Sequence, residues 1–220
     1  MTTLQTTSSR ILVVDDHPLV RAGLRSLINR QPDLVMCGEV GSIHDAIELA
    51  RTESPDLVLV ELSLPDGNGI DLIKRLKAHE PDVKMLVCSM RDESLFAERA
   101  INAGARGFLN KHQCTEEVLE AIRQVLAGGI YLSETMVERV INGFAKKKDA
   151  SASSIAELSD RELEVFGLIG QGLSTSKIAE RLHLSIKTIE THREKIKRKL
   201  QLATGGELVR HAVQWQMDQA

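Results

Sequence analysis

The sequence is poor in aromatic residues, cysteines and long apolar runs. Only 3% of its 220 residues are aromatic, and no stretch approaches the roughly 20 apolar residues that a membrane-spanning helix needs. The three cysteines, Cys37, Cys88 and Cys114, are an odd and unclustered set, which excludes a disulfide framework and a zinc site. The first ten residues lack the hydrophobic core of a signal peptide. We therefore expect a cytoplasmic protein without a membrane partner.

The net charge of −3 conceals an asymmetry along the chain. Residues 1–142 hold 15 basic and 21 acidic side chains, whereas residues 158–220 hold ten basic and eight acidic ones. Residues 185–200 contain six basic and two acidic side chains. Such a segment is either a solvated helix face or a nucleic-acid-binding surface, and charge alone leaves both interpretations open.

Short apolar runs alternate with amphipathic segments in the first 130 residues. The runs predict buried strands, and the longer segments predict helices. The predicted strands are 11–14, 34–37, 57–60, 85–88 and 107–109, and the predicted helices are 19–29, 42–52, 69–77, 94–103 and 115–126. Five strand–helix repeats predict an α/β fold, flavodoxin-like and doubly wound, with a five-stranded parallel sheet that binds ligands at the carboxyl ends of its strands.

The remaining sequence predicts a linker followed by an all-α domain. A further amphipathic helix is predicted at 132–144, and residues 145–157, rich in Ser, Ala and Lys, predict a flexible linker. Four helical patterns follow, at 159–169, 174–182, 185–200 and 207–217, with residues 204–206 as a glycine-rich loop before the last of them. We predict an α/β domain at 9–128, a connecting helix and linker at 129–157, and a four-helix domain at 158–220.

Polar side chains stand at the carboxyl ends of four predicted strands. Asp15 and Asp16 follow the first strand, Glu61 the third, Ser89 the fourth and Lys111 the fifth. Each position alone is ordinary, but in a parallel sheet they converge on one edge. Clustered carboxylates need a cation, and hard oxygen ligands suit Mg²⁺. A lysine and a hydroxyl facing a carboxylate suit a phosphoryl group, so the cluster favours acyl-phosphate chemistry.

The run ILVVDDHPLVRAGL and the residues around Glu61 resemble the receiver domain of NarL/FixJ-type two-component response regulators over residues 10–128. The resemblance implies that Asp15, Asp16, the acceptor carboxylate and the main-chain carbonyl of Ser63 bind Mg²⁺. The acceptor position, within DLVLVELSLPDGNGIDL, is Glu61. The resemblance also assigns three phosphoryl and switch residues: Ser89, Phe108 and Lys111. From its position on a strand, Phe108 is equally well explained as a core residue.

Glu61 departs from the family pattern, which has aspartate at this position. One extra methylene moves the carboxylate by on the order of 1 Å, and such a displacement can cost about a hundredfold in rate. The glutamate oxygens then lie toward the place of the phosphoryl oxygens. Four interpretations follow: a receiver biased to its active form, a receiver regulated without phosphate, an inert pocket in a domain that serves as a dimerisation or interaction module, and an engineered replacement of a natural aspartate by Glu61.

The segment from 158 to 200 carries a second resemblance. Its capping box SDRE, the pattern GLS, KIAERL, KTIETHR and KL, and the later ELVRHAVQW resemble a LuxR-type helix-turn-helix. The outer face of its third helix would contact double-stranded DNA through these candidates: Lys187, Thr188, Glu190, Thr191, Glu194, Lys195, Arg198 and Lys199. The resemblance implies pairing of two subunits through the last helix, with Leu208, Ala212 and Val213 as candidates. The alternative is that these three close the small core.

Together the two resemblances imply a bacterial transcriptional regulator that binds paired half-sites as a homodimer and is not an enzyme. A sensor histidine kinase and RNA polymerase are the further partners that they imply, and Glu61 weakens the case for the kinase. Two other classes remain in view. One is a receiver that turns over acyl phosphate as a kinase sink, which Glu61 disfavours. The other is an interaction module whose helix-turn-helix binds a protein, which the basic helix disfavours.

Overall fold

The computed structural model of this chain describes residues 8–112, 115–143 and 153–218. The chain divides into two compact units, Met1–Arg139 and Val140–Ala220. Most of the predicted linker at 145–157 lies outside the described residues, but its end differs from the prediction because Ser153–Ala156 form a short helix. None of the described helices combines the length and apolar character of a membrane span.

The first unit alternates strands and helices in the predicted order. Its strands are β1 (Ser9–Val14), β2 (Leu34–Val40), β3 (Leu57–Val60), β4 (Ser63–Leu64), β5 (Gly67–Asn68), β6 (Lys84–Ser89) and β7 (Phe108–Asn110). Its helices are α1 (Pro18–Ile28), α2 (Ile43–Glu53), α3 (Gly69–His79), α4 (Glu93–Ala103), α5 (Thr115–Leu126) and α6 (Glu134–Gly143), which runs across the division between the units.

A five-stranded parallel sheet in the order β2-β1-β3-β6-β7 forms the centre of this unit. All four residues of β3 are buried, as a parallel sheet covered on both faces requires. Alternate residues of β1, Ile11 and Val13, pack with Leu24 and Ile28 of α1 and with residues of α5. The predicted fold class is confirmed. The small antiparallel hairpin β4–β5, directly after β3, was not predicted.

The second unit contains α7 (Ser153–Ala156), α8 (Asp160–Gly170), α9 (Thr175–Arg181), α10 (Ile186–Lys199) and α11 (Gly205–Asp218). Phe166 of α8 and Trp215 of α11 contact each other in its core, with their rings tilted by 46° and their centroids 5.4 Å apart. A Cβ at Gly170 would lie 2.5 Å from the carbonyl oxygen of Ala212, so the glycine allows α8 to pack closely on α11. Gly205 and Gly206, predicted as loop, begin α11.

Candidate functional site

The predicted polar cluster lies at the carboxyl edge of the parallel sheet. Asp15 directly follows β1 and is 2% exposed, and Glu61 directly follows β3 and is 4% exposed. Ser89, the last residue of β6, is fully buried. Lys111 directly follows β7, and its main-chain N–H donates to the carbonyl of Ser89 at 3.0 Å. Four of the predicted residues are therefore brought together.

Glu61 is held by three donors. The Ser89 hydroxyl donates to Glu61 Oε1 at 2.6 Å, and the main-chain N–H of Ser63 donates to the same oxygen at 2.9 Å. Lys111 Nζ lies 2.6 Å from Glu61 Oε2 and 2.5 Å from Asp15 Oδ2. Both oxygens of the buried Glu61 carboxylate are thus engaged, and Lys111 bridges two carboxylates.

The ion pairs set the charge state of Lys111. Burial by itself lowers the pKa of this ammonium group, but the adjacent carboxylates of Glu61 and Asp15 outweigh it and raise the pKa above its ordinary value. Lys111 therefore stays charged at neutral pH. A charged lysine between two carboxylates satisfies groups that would be costly to bury alone.

A second group of side chains shares Asp15 with this network. Single ligand atoms from Asp15, Asp16 and His17 lie within 4.8 Å of one another, and His17 Nδ1 is 2.7 Å from Asp16 Oδ1. Within the described residues this is the group of His, Cys, Asp and Glu side chains close enough to share one ion, and Glu61 is not part of it. The predicted ligand set of Asp15, Asp16, Glu61 and the main-chain carbonyl of Ser63 stays a prediction. His17, which directly follows the acidic pair, was not among the predicted ligands. Two carboxylates at one edge fit a hard divalent cation.

The loop after Glu61 requires a glycine where it leads into α3. A Cβ at Gly69 would lie 2.3 Å from the carbonyl oxygen of Glu61, so only glycine lets α3 start this close to the acceptor position. Asp66 accepts from the main-chain N–H groups of Ile43 and His44 at 2.9 and 3.1 Å, and so caps α2. The sequence signal for this role was only the Pro-Asp-Gly turn.

Phe108, predicted as a switch aromatic, is 1% exposed on β7. Its main-chain N–H donates to the carbonyl of Tyr131 at 2.9 Å. The core interpretation therefore describes the side chain in this structure, and a switching role stays a prediction.

Helix α10 separates an apolar from a charged face. Ile189 and Ile196 are fully buried, whereas six of the predicted DNA-contacting residues are exposed: Lys187, Glu190, Thr191, Glu194, Lys195 and Arg198. Ser185 caps the helix by accepting from the N–H of Thr188 at 3.0 Å. His192 lies half-buried, and burial, together with Lys195 and Arg161, lowers its pKa, so it is neutral at pH 7.

Two predicted DNA contacts have structural partners inside the domain. Lys199 Nζ lies 2.6 Å from Glu162 Oε2 and 3.0 Å from the carbonyl oxygen of Glu157. Glu162 also closes the predicted capping box with Ser159, through bonds of 2.8 and 3.3 Å. Lys199 therefore joins α10 to the start of α8. The hydroxyl of Thr188 lies 2.7 Å from that of Ser185.

Two of the three predicted dimerisation residues of α11 lie in the core of their own domain. Leu208 and Ala212 are fully buried in their own domain, because α11 packs this face on the domain core. They close the core, which was the alternative interpretation, and have no surface to offer a second subunit. Val213 is half-buried. On the outward side, Val209 is 40% and Met217 68% exposed.

Comparisons with known proteins agree with both halves of this description. Residues 11–123 match the model of the response regulator receiver domain, and residues 156–212 match that of the bacterial regulatory proteins of the LuxR family. The transcription regulator BvgA of Bordetella pertussis (strain Tohama I) is 34% identical over 201 residues, which are 91% of this chain and 95% of BvgA.

Two further relatives extend the comparison. The nitrate/nitrite response regulator NarL of Escherichia coli (strain K12) is 31% identical over 192 residues, 87% of this chain and 89% of NarL. A structure of RcsB from Salmonella typhimurium, at 23% identity, shares the fold with a TM-score of 0.73 over 94% of this chain and 98% of RcsB. The chain therefore belongs to the two-component response regulators that join a receiver domain to a LuxR-type DNA-binding domain, and it is a transcription regulator.

Proposed function

We propose that this regulator holds its receiver in the phosphorylated-like arrangement without phosphate, with Glu61 in place of a phosphorylated aspartate. The observation that carries the proposal is the set of donors on Glu61. Ser89 Oγ and Lys111 Nζ bind its two oxygens at 2.6 Å each. These are the hydroxyl and the lysine that the family resemblance assigns to the phosphoryl group, so the carboxylate already satisfies them.

Mg²⁺ is proposed to bind at Asp15 and Asp16, with His17 at the rim of the same group. When bound, the ion would neutralise carboxylate charge at the edge of the sheet. By reducing the repulsion between the carboxylates, it would stabilise the folded receiver. A rise in the thermal stability of the full-length protein with Mg²⁺, and its loss in Asp16→Asn, is the expected result.

Double-stranded DNA with paired half-sites is the proposed partner of α10. The helix presents its charged residues outward and anchors its isoleucines in the core, the division that a recognition helix in the major groove requires. Lys187, Lys195 and Arg198 would contact phosphates or guanine, and Glu190 would accept from cytosine N4.

Homodimerisation is proposed through the outward face of α11. Val209, Val213 and Met217 are spaced four residues apart and so share one side of the helix. Two copies of this stripe would form an isologous contact. Val209→Glu would then shift the sedimentation coefficient of the DNA-free protein toward the monomer, and an unchanged coefficient would contradict this assignment.

Intact mass spectrometry after incubation with a small phosphodonor and Mg²⁺ tests whether Glu61 itself accepts a phosphoryl group, which the proposal excludes. We expect no added phosphoryl group on the wild-type protein and stoichiometric addition on Glu61→Asp. Stoichiometric labelling of the wild type at Glu61 would contradict the proposal. This experiment also separates the proposal from a phosphate-consuming role, which requires acceptance. A cytoplasmic location and contact with RNA polymerase accord with the same function.

A further inference from the structure

Ile186 is an exposed apolar residue on the outer surface of α10, whose other exposed residues are polar or charged. It is the first residue of the helix, and 52% of it is exposed, whereas Ile189 and Ile196 of the same helix are fully buried. It lies one turn before Glu190, on the same side of the helix. Single exposed apolar residues are common on protein surfaces, so the exposure of Ile186 indicates a function only because of its position on α10.

The hydroxyl groups around Ile186 are already engaged. Ser185 Oγ and Thr188 Oγ1 lie 2.7 Å apart, and Thr191 Oγ1 donates to the carbonyl of Lys187 at 2.9 Å. The first turns of α10 therefore offer carbon surface, the Lys187 ammonium group and the Glu190 carboxylate to a partner, together with the one hydroxyl hydrogen that the Ser185–Thr188 pair leaves unused.

In the major groove of DNA, the C5-methyl group of thymine is the apolar group on the base edges. The amino-terminal residues of a recognition helix are the ones that contact base edges. We propose that Ile186 contacts the C5-methyl group of one thymine in each half-site and thereby selects thymine at that position. This inference rests on the proposed function, namely that α10 enters the major groove.

The expected effect follows from the area that the contact removes from water. Burying one methyl or methylene group changes an affinity by about fourfold. Loss of the thymine methyl should therefore weaken binding by about fourfold per half-site. Truncation of Ile186 should remove the same contact by deleting its protein partner instead of its DNA partner. The two losses should not add, because they describe one contact.

The test uses the full-length protein and the DNA site that it selects from random sequences. Each thymine of the site is replaced in turn by deoxyuridine, which lacks only the C5-methyl group, and affinities are measured by gel-shift titration. For the wild type we expect about a fourfold loss at one thymine per half-site. Ile186→Ala removes the contact from both half-sites at once, so it should bind the thymine site about 16-fold more weakly and show no further loss at that position. Ile130→Ala, which truncates an isoleucine of similar exposure (49%) in the receiver unit, should keep the wild-type pattern.

Ile186→Val is a milder variant that keeps the branched shape and should lose part of the effect. The inference is overturned if no thymine in the site responds to deoxyuridine, or if Ile186→Ala keeps the wild-type ratio of thymine to deoxyuridine binding. Either result leaves the proposed DNA contact of α10 intact as long as Lys195→Ala weakens binding. If the wild-type protein selects no DNA, or if Lys195→Ala binds as tightly as the wild type, the proposed function fails and this inference fails with it.

Discussion

The receiver pocket and the helix α10 both contain several charged side chains, but those of the pocket are buried and paired, whereas most of those on α10 are exposed to solvent. In the pocket, Lys111 lies between the buried carboxylates of Asp15 and Glu61. On α10, Lys187, Lys195 and Arg198 are exposed to solvent. Charges that neutralise one another in a buried site hold a conformation, whereas exposed charges remain available to a partner. The two regions thus have the electrostatics of a control element and of a DNA-binding surface.

The largest effect should come from breaking the buried network. Lys111→Met leaves two buried carboxylates without their cation, and removal of one partner of a buried pair costs about 3–5 kcal/mol. Urea unfolding of the full-length protein should show this loss in the receiver transition. Lys74→Ala is the matched control, because Lys74 is half exposed and lies 3.9 Å from Asp71, and a surface pair of this kind contributes about 0–1 kcal/mol. Equal losses in both variants would contradict the buried network.

The same contrast between a paired and an exposed charge occurs within α10, because Lys199 pairs with Glu162 whereas Lys195 is exposed to solvent. Lys199→Ala leaves the buried Glu162 unpaired and should lower the free energy of unfolding of the second unit by about 1–3 kcal/mol. Lys195→Ala should leave the stability unchanged, weaken binding to all DNA sequences and reduce the slope of log K against log salt by about 0.9 for each bound subunit. If Lys199→Ala instead reduces the salt slope at unchanged stability, Lys199 contacts phosphate as the sequence predicted.

Base selection should depend on residues nearer the start of α10. Lys187→Ala and Thr191→Ala should each change which sequences are preferred, because a bidentate base contact is worth about 1–3 kcal/mol of discrimination and a methyl contact less. The hydroxyl of Thr191 donates to its own helix, so its methyl group is the part left for a base. Selection from random DNA with each variant measures the change. Unaltered preferences in both would mean that α10 is not the recognition helix.

The smallest effect concerns pH. Burial raises the pKa of Glu162, but hydrogen bonds from Lys199 and from the main chain of Ser159 outweigh it and lower the pKa below its ordinary value. A carboxyl with a depressed pKa in the folded state stabilises the fold above its unfolded pKa, about 4.3 for glutamate. This stabilisation is lost as the pH falls below that value. Glu162→Gln should flatten this dependence in urea unfolding, whereas a parallel pH profile would exclude the pairing.

The sequence predicted most of the pocket because parallel strands bring their carboxyl ends to one edge, whatever the intervening helices do. Asp15, Glu61, Ser89 and Lys111 meet for that reason. The hairpin β4–β5 was not predicted, because strands of two residues are too short to show an alternation of apolar and polar residues. On α11, the sequence left two interpretations of Leu208 and Ala212 open, since an apolar stripe does not reveal whether a second subunit or the core of its own domain covers it.

The start of α11 was missed despite a local signal. Thr204 accepts from the N–H of Glu207 at 3.1 Å, and Glu207 accepts from the N–H of Ala203 at 2.8 Å. The Thr-x-x-Glu spacing is typical of a helix start, but the intervening Gly205 and Gly206 favoured a loop. The role of Lys199 was hidden for a different reason, because its partner Glu162 lies 37 positions away in the sequence.

The central claim is that Glu61 substitutes for a phosphorylated aspartate. Its most direct test is the DNA affinity of the wild type and of Glu61→Asp, each with and without a small phosphodonor and Mg²⁺. We expect Glu61→Asp to bind at least about fivefold more weakly without phosphodonor, within the usual range of allosteric coupling, and to recover with it. The wild type should be unaffected by the phosphodonor. Equal affinities of the two proteins without phosphodonor would contradict the claim.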